Sequence, residues 1–128
     1  MTITEVSKKY ELSADTLRYY ERVKLIPEVN RNKNGIRDYT EEDCRWVEFI
    51  KCMRSAGLPI EALIEYVALF QEGDETIEAR KNILKEQRKH LKEKMENMKA
   101  TLERLDYKIE RYEKGIVTKI NEVKRIDD

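Results

Sequence analysis

Apolar residues follow two different rhythms along this chain. Up to about Gln71-Glu72-Gly73-Asp74 they come in short bursts between breakers; from Leu84 onward they recur at alternating steps of four and three. The first rhythm predicts several short helices and one hairpin, the second one long helix. Thr4 is the N-cap candidate of the first helix, which runs to about Tyr10. Glu11-Leu12-Ser13 is a tight break, and Ser13 caps a second helix from Ala14 to about Arg22 with Leu17 facing inward. Two short helices joined so closely form a helix-turn-helix pattern. Ile26 precedes Pro27 and is driven to extended backbone, which ends the helical run.

The stretch "EVNRNKNGIRDY" follows, and its Asn34-Gly35 pair is a two-residue hairpin signal, because both residues accept positive φ. On the far side Ile36 and Asp38 point one way and Arg37 and Tyr39 the other, so a short basic β-ribbon, or wing, is predicted. Thr40 caps the next helix, whose first turn carries Glu41, Glu42 and Asp43 to complement the dipole. Its apolar face is read as Trp46, Phe49, Ile50 and Met53, with Val47 at the margin; Trp46 and Phe49 are taken as core without a ligand role. That orientation leaves Cys44 exposed and puts Cys52 at the edge of the buried face. Gly57-Leu58-Pro59 is a break, and Ile60, Leu63, Ile64 and Val67 form the next buried stripe.

The later rhythm is a heptad seam. One set is Leu84, Leu91, Met98, Leu105 and Tyr112; the other is Met95, Leu102, Ile109 and Ile116, with Arg88 where that register would start. The seam is narrow and the rest of the helix polar, so the stripe calls for a second helix, and a homodimer interface is expected through Leu84, Leu91, Met95, Met98, Leu102, Leu105, Ile109 and Tyr112. Direction, parallel or antiparallel, stays open at this point. The predicted fold class is mainly α: a winged helix-turn-helix head with a small β-hairpin wing, then a long coiled-coil dimerisation helix. The corresponding domains are 1–72, 73–114 and a short tail at 115–128, whose Ile116 to Ile126 is read as folding back.

Composition narrows the function. Of 128 residues 41% are charged, yet the formal net charge is zero, so any nucleic-acid site must be local. Arg18, Arg22, Lys24, Arg31, Lys33 and Arg37 lie in the helix-turn-helix and the ribbon, diluted only by Glu21, Glu28 and Asp38. No apolar run is long enough to cross a bilayer. Thr2, Thr4 and Glu5 follow Met1 without a basic stretch and an apolar run, so no secretory signal is expected and the location is read as cytoplasmic. The two cysteines, Cys44 and Cys52, are then expected to be reduced, and their spacing is no zinc framework. His90 is the one histidine and falls on an outer heptad position, which makes no metal or catalytic site by itself. No cofactor and no enzymatic activity are expected.

Helix-turn-helix, basic ribbon and coiled coil are each common; their ordered combination is specific. The run "ITEVSKKYELSADTLRYYERVKLIP" followed by "NRNKNGIRDYTEEDCRWVEFIKCMRSAGLPIEAL" resembles the MerR family of bacterial transcription regulators over the first seventy or so residues. "TLRYYE", "GIRDYTEED" and "GLPIE" occur in the family's order and spacing. The resemblance implies double-stranded promoter DNA as partner, an antiparallel pairing of long helices, and activation with RNA polymerase at the promoter by bending and untwisting DNA whose polymerase-binding elements are spaced too far apart. It makes the second helix the recognition helix. The expected DNA-binding residues are Ser13, Thr16, Arg18, Tyr19, Tyr20, Arg31, Lys33, Arg37 and Tyr39; core packing is the alternative for Tyr20.

A sensor is harder to read. Thiolate metal sensing lacks ligands after Cys52, and the tail is too short for a pocket domain. The run "IKCMRSAGLPIEAL" resembles the thiol-based subclass that responds to aldehydes, electrophiles or nitrosative stress, in which a cysteine at the position of Cys52 is the sensor. An inert, half-buried filler is the alternative for Cys52. Eight helical positions put Cys44 and Cys52 about 12 Å apart, too far for a disulfide within the helix. A different class of reading, a coiled-coil adaptor whose head binds protein, has the basic ribbon and the Arg-Tyr helix against it.

Overall fold

The computed structural model describes residues 1–115; the predicted tail beyond Gly115, and Ile116 of the seam, lie outside the described residues. The order is α1 (Ile3–Tyr10), α2 (Ala14–Arg22), α3 (Glu41–Ser55), α4 (Ile60–Glu72), a 3-10 turn (Asp74–Thr76) and α5 (Ile77–Glu113). Thr2, not Thr4, caps α1: its hydroxyl accepts from the Glu5 N–H while the Glu5 carboxylate accepts from the Thr2 N–H. Hydrogen bonding from Thr2, its backbone N–H first and its side chain second, holds the Glu5 carboxyl below its ordinary pKa. Glu11, in the left-handed region at φ 55°, turns the chain, and Ser13 caps α2 through the Thr16 N–H at 3.0 Å. Thr40 and Asp43 form the same reciprocal box at the start of α3.

One core joins α1, α2, α3, α4 and the connection between α2 and α3. Val6, Leu17, Leu25, Ile26, Val29, Val47, Ile50 and Leu63 are all buried in it. The buried line of α3 is Cys44, Val47 and Ile50, at steps of three. Trp46 and Phe49 are only half-buried, because they turn toward α4. There Trp46 meets Phe70 and Tyr66 edge-on at 5.0 and 6.1 Å between ring centroids. With Glu42 and Arg45 these four rings line an open cavity of about 270 Å³. Val47 therefore sits at the centre of the face, not its margin.

The predicted two-stranded ribbon contracts to one antiparallel bridge, Arg31 with Arg37, and there is no strand among the described residues. Two bonds flank that bridge: Asn32 N–H to Ile36 O and Asp38 N–H to Asn30 O, both 2.8 Å. The next rung would pair Val29 with Tyr39, and its groups are taken elsewhere. The Val29 N–H donates to the Glu21 carboxylate at 3.1 Å, while the Tyr39 N–H and carbonyl pair with the Met1 carbonyl and amino group. The turn also differs from a two-residue Asn-Gly loop. Gly35 alone has positive φ, at 75°, and Asn32 closes the turn: its carbonyl accepts from the Gly35 N–H and its side chain from the Asn34 and Ile36 N–H groups.

The junction of α4 with α5 is an elbow. Gly73 has φ 116° and ψ −171°, a region open essentially to glycine, and a Cβ there would lie 2.9 Å from Glu75 Oε2. The buried Thr76 hydroxyl lies 2.6 Å from the Leu69 carbonyl and 2.7 Å from that of Gly73. Arg80 donates from Nε to the Thr76 hydroxyl at 3.0 Å and stacks over Phe70. Gly73→Ala is expected to cost about 1–3 kcal/mol of stability. Thermal denaturation followed by circular dichroism checks it, and an unchanged midpoint would mean that the elbow relaxes without strain.

The chain divides after Gln87 into two compact units. In the second, residues 88–113 are helical throughout, and α5 has no buried residue. The seam side chains Met95, Met98, Leu102, Leu105, Ile109 and Tyr112 are exposed, Leu102 by 57%, as is Leu84; Leu91 is half-buried. His90 is exposed. Among the described residues no helix is long and apolar enough to cross a membrane.

Candidate functional site

Arg18 and Arg22 of α2, Lys24 just after it and Arg37 of the 31–37 turn share one concavity, while Arg31 and Lys33 stand outside its lining. It has a volume of about 610 Å³ and is lined by Arg18, Glu21, Arg22, Lys24, Ile26, Pro27, Glu28, Arg37 and Gln71. Four cations face two acids there, so the excess positive charge expected from the sequence is local and real in space. Lys24 reaches it from a left-handed backbone, φ 66°, which follows the end of α2 at Val23.

The cations are held differently. Arg18 pairs with Asp15 at 2.8 Å on an open surface, a contact worth little and easily exchanged for another anion. Arg22 lies over the Tyr19 ring at 5.5 Å, and Arg31 donates to the Gly35 carbonyl at 2.9 Å. Arg37 is more firmly placed: its Nε donates to Glu21 Oε1 at 2.6 Å, with the two side chains 22% and 11% exposed. Lys33 is exposed at the tip of the turn.

The hydroxyl residues and tyrosines separate by burial. Ser13 and Thr16 sit at the mouth of α2, their hydroxyls 2.8 Å apart. Tyr19 is half-buried against the core. Tyr20, at 6% exposure, and Tyr39, at 2%, belong to the core itself, and burial raises both phenol pKa values. For Tyr20 the core alternative describes its position. The Tyr39 hydroxyl is buried with no hydrogen-bond partner among the described residues. Burial is the main cause of its raised pKa, with the charges of Arg37, Glu21, Asp43 and Arg18 acting after it.

Neither cysteine has the environment expected of it: Cys44, expected exposed, is buried, and Cys52, expected at the edge of the buried face, is exposed. Cys44 is 4% exposed, with its Sγ 3.9 Å from the Met1 sulfur, and Cys52 is exposed. The orientation of α3 explains it: a face centred on Val47 takes Cys44 inward and carries Cys52 out. Next to Cys52, Lys51 donates from Nζ to the Tyr10 carbonyl, and Arg54 donates to the Leu58 carbonyl at 2.7 Å. Glu21 is the residue the sequence undervalued. It reads as one acid diluting a basic stretch, and nothing local marks a partner sixteen positions away.

Comparison with known proteins agrees with this arrangement. Residues 1–69 match the family described as "MerR HTH family regulatory protein", and residues 44–107 match "MerR, DNA binding". The chain is 66% identical over 89 residues to the HTH-type transcriptional regulator AdhR of Bacillus subtilis, a match covering 70% of this chain and 64% of AdhR. The matched stretch is thus less than two thirds of that relative's length. Among solved structures, a MerR family transcriptional regulator from Listeria monocytogenes superposes with a TM-score of 0.89 at 48% identity, covering 99% of this chain and 96% of that one. HiNmlR, a MerR family regulator lacking the sensor domain and bound to promoter DNA, superposes with a TM-score of 0.80 at 31% identity, covering 88% and 90%. With capped helices α1 and α2, the basic turn and the long α5 in the same order, the chain belongs to the MerR HTH family of regulatory proteins.

Proposed function

We propose that this chain is a homodimeric, cytoplasmic transcription regulator that binds double-stranded promoter DNA and activates by distorting it for RNA polymerase. The observation that carries the reading is the basic concavity of α2 and the 31–37 turn, set in a chain of this family. HiNmlR was crystallised on promoter DNA, which supports the same use of the shared fold. In this reading α2 enters the major groove, and the single-bridge turn does the work of the wing along the backbone. Ser13, Thr16, Arg18, Tyr19, Arg31, Lys33 and Arg37 are the contact residues the surface offers. The stretch 1–72 acts as the DNA-binding domain and 73–114 as the dimerisation helix, two copies pairing antiparallel through the exposed seam. Cys52 is the proposed thiol sensor for aldehydes or other electrophiles, supported by the identity with AdhR across this stretch.

Arg18 provides the direct test of the DNA reading. Its partner Asp15 is exposed, so Arg18→Ala leaves the helix intact. The substitution should weaken operator binding at unchanged circular dichroism. The slope of log affinity against log salt should become shallower by about 0.9 for each phosphate that is no longer neutralised. Gel-shift titrations at several salt concentrations read both quantities, and undiminished binding would return Arg18 to a surface role.

A further inference from the structure

Glu21 is an acid inside a basic concavity, and both of its carboxylate oxygens are engaged by the segment that follows α2. Oε1 accepts from Arg37 Nε at 2.6 Å, and Oε2 accepts from the Val29 N–H at 3.1 Å. The pair is shielded, 11% and 22% exposed, unlike the open Arg18–Asp15 contact. The bond to Glu21 takes only Nε of Arg37. The remaining guanidinium donors sit on the two terminal nitrogens, and a fork held at its base is pre-organised for a planar or tetrahedral anion. Arg37 lines the same concavity as Arg18 and Arg22. The Val29 bond acts on the backbone: it takes the N–H that would extend the hairpin and ties that part of the chain to α2 instead.

We infer that Glu21 is a positioning residue for DNA, clamping Arg37 at Nε so that its terminal nitrogens meet a backbone phosphate of DNA lying along α2. The inference rests on the proposed DNA-binding reading and deepens it. Coulomb's law alone gives Glu21 the opposite role. A carboxylate on a DNA-facing surface repels phosphates, so its removal should tighten binding. Positioning predicts weakening, because an untethered Arg37 must be ordered on binding. The sign of the effect separates the two.

The experiment uses the full chain and a duplex that the wild-type protein selects from a random-sequence pool. Glu21→Ala is expected to weaken binding on the order of tenfold, the cost of ordering one loosened arginine. Glu21→Gln keeps an amide oxygen for the Val29 N–H but loses the charge that holds Arg37. It should weaken binding as far as Glu21→Ala does, and it carries the test if the alanine variant fails to fold. In an Arg37→Ala background neither substitution should change affinity further. Tighter binding by Glu21→Ala would overturn the positioning role and leave the DNA reading standing, as would a weakening that persists undiminished without Arg37. Failure of the wild-type chain to select any duplex would overturn the DNA reading and this role together.

Discussion

If two copies pair through α5 as proposed, Leu102→Lys should leave monomers and abolish operator binding at concentrations where the wild type is saturated. Leu102 stands near the middle of the α5 seam and is 57% exposed in the single chain, with Met95, Met98, Leu105 and Ile109 above and below it on the same stripe. A continuous exposed apolar stripe of this length marks a surface made to be covered. Pairing two such helices removes both copies of residue 102 from water, so the substitution introduces two unpaired charges per dimer. An uncompensated buried charge costs about 3–5 kcal/mol. Even one such charge moves a dimer dissociation constant by more than about a hundredfold. Two heads on one duplex bind with far higher avidity than one, so DNA affinity should fall with the dimer. Light scattering gives the mass and gel shift the affinity. A variant that keeps the dimer mass would place the interface elsewhere on the chain.

How much of this could be read from the sequence depends on how far each signal reaches. Ser13, Thr40 and Gly73 are single residues whose side chains, or lack of one, decide the local backbone, and each ends or starts an element where expected. Thr4 misled because Thr2 offers the same hydroxyl one half-turn earlier and has Glu5 at the reciprocal position. The hairpin was legible as a turn but not as a single rung. What shortens it is Glu21 and Met1 taking the groups of Val29 and Tyr39, contacts made across eight and thirty-eight positions. Helix α3 shows a second kind of limit. A face drawn through its largest side chains is rotated from the buried one: Trp46 and Phe49 pack half-buried against the core and on Tyr66 and Phe70, while Cys44, Val47 and Ile50 form the buried line. That rotation buries Cys44 and takes Cys52 from the edge of the face to the exposed side. Among the candidate DNA residues, Arg18, Arg31 and Lys33 were legible as exposed cations. Tyr39 shares the face of Arg37 in the period-two pattern but goes to the core, 2% exposed, with its backbone tied to Met1.

Cys52→Ala should abolish transcriptional induction by an aldehyde or by diamide, leave DNA affinity intact, and contrast with Cys44→Ala, which should respond as the wild type does. Access makes the distinction. Cys44 is 4% exposed against Met1, Val47 and the rest of the core, so a reagent reaches it only through unfolding, whereas Cys52 is exposed in the native fold. A disulfide between them is excluded along one helix, because eight positions span about 12 Å. Modification at Cys52 therefore means an adduct, a small-thiol cap or a bond between chains. Exposure also changes how such a group would act. A half-buried thiol would overpack its surroundings when modified, but an exposed one has room. The adduct instead adds bulk on the outer side of a tightly bonded joint. The Cys52 carbonyl accepts from the Ala56 N–H at 3.1 Å, Gly57 turns the chain at φ 87°, and Arg54 grips the Leu58 carbonyl at 2.7 Å just before α4 begins. A difference of about 1.4 kcal/mol between two conformations of that joint shifts their ratio tenfold, enough for a transcriptional switch. Reporter induction in cells, paired with intact-protein mass spectrometry of the treated chain, measures the response and the site of modification together. Equal induction in Cys52→Ala and wild type, or modification found only at Cys44, would remove Cys52 from the sensing mechanism.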